Sequence, residues 1–286
     1  MTKQNVKIDD LTFGDEYLFE EVLIRNKDIT MQLLERITGI SGITRIDYIS
    51  KEDVQTTGHD TKGIRCDVYV KDQDGVAYIV ELQREDTKEL PQRMRYYQTT
   101  SDSRQLPKAG KYKDLKDNYV IFICRKDIFG HGLYKYTFRN RCDEISDLTL
   151  GDGTYKIVLN TQGQNGDACD DVVDFLRLIE GIASDNPLVK QIETATEEIK
   201  DDEIWRERRM QSEVREQDAI ERLEEALERG LQRGIERGIE QGIEQGIEQA
   251  TLDVARNLLS LCMSVADIMK VTGLSVEQVE GLRFQK

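Results

Sequence analysis

Asp67 and Glu81 lie on two apolar runs, 64–70 and 76–82, joined by Lys71-Asp72-Gln73-Asp74-Gly75. Glycine in such a loop marks a β-hairpin, because it accepts the left-handed backbone of a tight turn. With Gln73, Asp74 and Gly75 as a three-residue loop, Asp72 opposes Val76 and Asp67 opposes Glu81. Alternation with period two then puts Gln83 on the same face as Glu81. Directly opposed side chains have Cβ atoms roughly 4.5–5.5 Å apart. The rest of that face, Tyr69 and Ile79, is apolar, and so is the other face, Val68, Val70, Val80 and Leu82. A strand pair apolar on both sides is normally covered on both sides. Two carboxylates meeting there repel, and holding both charged away from water is costly. A divalent cation compensates. Two carboxylates, a backbone carbonyl and open water positions suit Mg²⁺, which polarises a phosphodiester and helps to generate the attacking hydroxide. The spacing also admits a plainer reading, in which the acids sit at strand ends, hydrated or paired with Arg65 or Arg84.

Several elements must position that hairpin. Phe13, Tyr17, Phe19, Val22, Leu23, Ile29, Leu33, Leu34 and Ile37 recur at helical spacing, and Gly39 supplies a stop. Further apolar runs cover 43–49 and 118–124, and 89–105 is helix-like and rich in Arg, Tyr and Gln. Strand, strand, helix, strand with helices on either side is an α/β layer pattern, and it extends to about residue 160.

The grammar changes further on. Between Lys190 and Glu228 there are 14 acidic residues against 7 basic ones, which reads as a solvated helix or stalk. Residues 230–249 repeat as GLQRGIERGIEQGIEQGIEQ, with glycine every four residues followed by Leu or Ile. On a helix this makes a glycine stripe beside an isoleucine stripe. Each interior glycine costs about 1 kcal/mol relative to alanine. Such a helix needs a partner packed close to the glycines, and a period longer than 3.6 favours a right-handed crossing; the alternative is a partly helical linker. From Ala250 the chain reads as three short helices, opened by Ser264 with Asp267 three residues on and by Ser275 with Gln278. Thr272-Gly273-Leu274 between them suggests a helix-turn-helix, yet 275–282 holds two glutamates and no cation. A reading helix normally brings Arg or Lys to DNA, so a structural mini-bundle is the preferred reading.

Asp67 followed by Glu81-Leu82-Gln83 resembles the D…E-x-Q form of the PD-(D/E)xK nuclease signature. Asp15-x-x-x-Phe19 resembles the D-x-x-F opening of the first helix of that family, although Glu20 stands where the family often has lysine. Arg93-Met94-Arg95-Tyr96-Tyr97 resembles the R-x-x-Y-Y after the catalytic strand, and 105–112 the Q-L-x-x-G-x-x-Y segment with one residue inserted. Together with the glycine repeat and the final L-L-x-x-x-M-S…T-G-L-S, these are similar to the Rpn family of recombination-promoting nucleases, also called PD-(D/E)xK family transposases. The resemblance implies a restriction-endonuclease-like PD-(D/E)xK core, a mixed sheet flanked by helices. A long helical stalk and a small C-terminal helical bundle follow. The corresponding domains are 1–187, 188–249 and 250–286. It implies Mg²⁺-dependent DNA cleavage of low sequence specificity, with Mn²⁺ or Ca²⁺ as substitutes, linked to recombination, mobile elements or phage defence. By position Asp67, Glu81 and the carbonyl of Leu82 are metal ligands, Gln83 replaces the usual lysine, and Asp15 is an outer catalytic residue. An amide orients water but neither acts as a base nor brings positive charge. The resemblance also suggests that a C-terminal portion beginning at Met210 is made separately as a regulator.

The chain of 286 residues carries a net charge of −15, so DNA must be held by a local surface. Between Arg84 and Lys116 nine basic residues face five acidic ones, with Tyr96, Tyr97 and Tyr112 among them. Arg84, Lys88, Arg93, Arg95, Arg104, Lys108 and Lys111 are therefore the candidate DNA contacts. No apolar run reaches the roughly 20 residues of a membrane helix. The amino terminus lacks an apolar signal core, and five scattered cysteines with two histidines suggest neither disulfides nor zinc. The expectation is a cytoplasmic homo-oligomer, joined through the C-terminal helical region, that cuts DNA. The alternative is a degenerate relative that binds DNA or regulates without cutting.

Overall fold

The computed structural model describes residues 7–49, 66–83, 88–106 and 108–284. Two compact units are present, Met1–Arg209 and Met210–Lys286.

The first unit is an α/β layer structure around one six-stranded sheet. Its strands are β1 (Ile46–Tyr48), β2 (Val68–Asp72), β3 (Ala77–Gln83), β4 (Asn118–Cys124), β5 (Lys135–Phe138) and β6 (Thr154–Asn160), in the order β1-β2-β3-β4-β6-β5. β1, β2 and β3 pair antiparallel, β3, β4 and β6 pair parallel, and β5 returns antiparallel on β6. Every residue of β4 is buried, as a central strand covered on both faces requires.

Helices cover the two faces unequally. On one side α1 (Glu16–Arg25), α2 (Lys27–Thr38), α4 (Asp170–Ile179) and α5 (Pro187–Asp201) bury Val68, Val70, Tyr78, Val80 and Leu82. On the other, α3 (Leu90–Gln105) lays Leu90, Met94 and Tyr97 over Tyr69, Ile79, Val120 and Phe122. Local signals explain the boundaries. Asp15 caps α1, accepting from the Tyr17 N–H at 3.0 Å; Gly39, at φ +79°, ends α2; and Pro91 starts α3.

The hairpin has the register that a three-residue loop predicts: Val68 pairs with Val80 and Lys71 with Ala77. Asp72 fixes it. Its Oδ1 accepts the N–H groups of Asp74 and Val76, both at 2.9 Å, and its Oδ2 takes the Tyr78 hydroxyl at 3.0 Å. Gly75 takes the left-handed φ of +82° that the turn needs.

The first part of the charged stretch, α5, departs from a stalk. Leu188, Val189, Ile192, Ala195 and Ile199 of α5 are buried, an i, i+4, i+7 stripe hidden by the surrounding charge. After it α6 (Glu203–Ser260) starts with Trp205 buried and runs unbroken through the glycine repeat. In the second unit the repeat has no neighbour among the described residues: open space surrounds Gly230, Gly234, Gly238, Gly242 and Gly246. Leu231, Ile235, Ile239, Ile243 and Ile247 are each more than half exposed. The end of α6 then packs with α7 (Val265–Thr272) and α8 (Val276–Phe284) around Ala255, Ile268 and Val279. Ser264 caps α7, and Ser275 with Gln278 forms the reciprocal pair of a capping box at α8.

Candidate active site

Extending the hairpin register by one residue sets Asp67 opposite Glu81, at the end of β3 and on the face covered by α3. Both residues are 8% exposed. Asp67 carries the ladder on through its side chain: Oδ2 accepts the backbone N–H of Leu82 at 2.7 Å. Burial, followed by the neighbouring charge of Asp67, pushes the Glu81 carboxyl well above the usual carboxylate range, and Arg93 only partly offsets this. Glu16, at the start of α1, adds to the same push.

Arg93 reaches the pair from α3. Its Nη2 donates to Glu81 Oε1 at 2.6 Å and to the Tyr97 hydroxyl at 3.3 Å, while Nη1 donates to Gln83 Oε1. The Tyr97 hydroxyl also donates to Glu81 Oε1, at 3.4 Å. The guanidinium lies 5.1 Å from the centroid of the Phe122 ring, a cation–π contact that holds it from beneath. Arg93 and Tyr97 are four residues apart, one helical turn on one face. Glu81 Oε2, by contrast, is buried and has no hydrogen-bond partner among the described residues.

Asp15 belongs to the helix end next to this strand end. Arg125, directly after β4, joins the two: its N–H donates to the Gln83 carbonyl at 3.4 Å and its Nη2 to the Gly14 carbonyl at 3.0 Å. A Cβ on Gly14 would collide with Arg125 Nη2 and the Ile179 carbonyl, so only glycine fits there. Arg125 was not marked by sequence reasoning. Its signal is position, because β4 pairs parallel with β3 and ends level with Gln83.

The candidate DNA contacts separate. Lys88, Arg95, Lys108 and Lys111 are exposed, and Arg93 is turned into the acidic pair. Arg104 is half-buried near Tyr69, whose hydroxyl feels its charge. Arg84, like Arg65, lies outside the described residues. Tyr112 is 87% exposed, whereas Tyr97 is buried at the site.

Residues 10–143 match the model of the PD-(D/E)XK nuclease family transposase, and residues 248–283 match that of the Rpn/YhgA-like nuclease family, C-terminal HTH domain. Both matched segments are similar to Rpn-type PD-(D/E)xK nucleases. No curated protein and no solved structure matches it. The Rpn match corrects the reading of the tail as a structural mini-bundle: the segment around Thr272-Gly273-Leu274 falls in a helix-turn-helix domain despite its missing cations. Charge was the wrong criterion there, because the turn and its caps define the motif before any contact to DNA does.

PD-(D/E)xK nucleases generally use divalent metals, and the acidic pair of this chain fits one. Asp67 facing a Glu81 with a buried oxygen that has no partner among the described residues is the arrangement that a dication relieves. Among the described residues no group of three or more His, Cys, Asp or Glu side chains is gathered to hold a metal. No described helix is long and apolar enough to cross a membrane.

Proposed function

We propose that this protein is a metal-dependent DNA endonuclease that hydrolyses phosphodiesters with little regard for sequence, in recombination, mobile-element traffic or phage defence. The observation that carries the reading is the buried pair Asp67 and Glu81 at the end of β3, with Glu81 Oε2 partnerless among the described residues. Asp67, Glu81 and the Leu82 carbonyl hold Mg²⁺, for which Mn²⁺ or Ca²⁺ can substitute. Once bound, the ion supplies Lewis-acid polarisation of the phosphate and acidifies water. Gln83 orients the attacking water through its amide, and Asp15 supports the site from the cap of α1. Lys88, Arg95, Lys108 and Lys111, with Arg84 and Arg104, track the phosphate backbone. The protein acts in the cytoplasm as a homo-oligomer joined through its C-terminal helices, and the helix-turn-helix tail contributes to DNA binding. A second reading, binding without cutting, is favoured by one observation: Gln83 offers neither a base nor a charge.

Supercoiled plasmid at low salt, with Mg²⁺ or with EDTA, separates the two. The expected result is nicking that needs the metal and falls at least ~100-fold in Asp67→Asn and in Glu81→Gln. DNA binding without nicking in Mg²⁺ and in Mn²⁺ would leave the degenerate reading standing.

A further inference from the structure

We propose that Arg93 is a catalytic residue: its guanidinium is the cation that this site sets against the reacting phosphate, in the place left uncharged by Gln83. The inference rests on the endonuclease reading of the same site and adds to it a residue with a role of its own. A hydrolysed phosphodiester gathers negative charge on its non-bridging oxygens, and a fixed positive group there is worth more than one in water. Asp67, Glu81 and Gln83 supply no such group.

Arg93 does. From α3 it grips both side chains of the Glu81-x-Gln83 segment at once. An arginine serving only as a general backbone contact would point to solvent, as Arg95 two residues on does. Its side chain is 28% exposed against 11% for Glu81, so Arg93 is the more accessible member of the pair. Among the described residues, three of its five N–H groups are given to Glu81, Gln83 and Tyr97, which leaves two for phosphate oxygens. Phe122 below and Tyr97 one turn on keep the group from swinging away.

The step balances without a further reagent. The water oxygen forms a bond to phosphorus as the bond to the leaving oxygen breaks. The proton lost by the water goes to solvent, and the leaving oxygen takes one back. Arg93 stays protonated throughout, as an arginine must.

The test uses the full-length protein and single-turnover cleavage in Mg²⁺, beside DNA affinity and metal affinity measured in Ca²⁺ by calorimetry. Arg93→Ala is expected to lose about 100-fold or more in cleavage rate, with DNA and Ca²⁺ affinities within about threefold of wild type. Added guanidinium should restore part of the rate where urea does not, and Arg93→Lys should retain more of it than Arg93→Ala. Adding Gln83→Lys to Arg93→Ala should return activity, because it moves the charge to the vacant position. Should Arg93→Ala cut as fast as wild type, or lose DNA or Ca²⁺ affinity in step with rate, the assignment is overturned. If Arg93→Ala fails to fold, the charge-neutral Arg93→Gln decides alone: a rate equal to wild type would refute it. A wild-type protein that cuts nothing would instead bring down the endonuclease reading, and this assignment with it.

Discussion

Asp171 shows how one carboxylate can tie three helices. It lies in the first turn of α4 and accepts from the amide of Asn186, the cap of α5, at 2.8 Å and from Arg36 of α2 at 2.5 Å. The Asn186 hydrogen bond above all, and then Arg36 against a little burial, holds its carboxyl below the usual range. A depressed folded pKa stabilises the fold above the unfolded value of about 3.9, and the benefit fades as pH falls through the folded value. Asp171→Asn should therefore lower Tm at pH 7 by a few degrees and match wild type near pH 2. Thermal unfolding followed by circular dichroism at both values checks this, and equal Tm at pH 7 would refute it. At this scale the acids of the site were legible because facing residues in a hairpin follow from loop length and parity alone. The Arg93 grip was not. Which way a helix turns over a sheet is decided by packing between elements far apart in sequence, and R-x-x-Y-Y is silent on that.

Among the elements, α6 is the one whose sequence and environment disagree. Leu231, Ile235, Ile239, Ile243 and Ile247 form an exposed row beside open glycines, an apolar face with nothing over it among the described residues. Glycine beside isoleucine suits a second copy of the same helix, since the large row of one fits the shallow row of the other. Arg233 and Arg237 flank the glycine side, and Glu236, Glu240 and Glu244 the isoleucine side. A parallel pair related by a two-fold axis brings the basic flank of each copy beside the acidic flank of the other. Ile239→Glu combined with Ile243→Glu should reduce the mass seen by light scattering to that of one chain; an unchanged mass would show that copies meet elsewhere. The repeat was legible as two rows, and the long helix that carries them was expected from the sequence. For α5 the reverse held: high charge density masked a buried stripe, because acidic residues fill the outer face without touching the inner one.

For the whole molecule, the boundary between the two compact units falls between Arg209 and Met210. A methionine at the head of a self-contained unit is a workable start for a separate product, and such a product would carry the helical tail without the acids. Antibody against the tail should reveal a short species that Met210→Leu removes. If it persists in the variant, or never appears, the tail is made only as part of the full chain. The order of strands was beyond reach of sequence, since nothing in β4 or β6 names its neighbour, although the alternation of strand and helix sufficed for the α/β class. That order has a consequence for how the protein wears out. β3 is hydrogen-bonded on both edges and covered on both faces, so its amides are shielded from exchange with solvent until the sheet itself gives way. Fraying at β1 or β5 leaves Glu81 and Gln83 where they are. Loss of the site under heat should then coincide with loss of the fold, with no tepid interval in which an intact-looking molecule has already been disarmed.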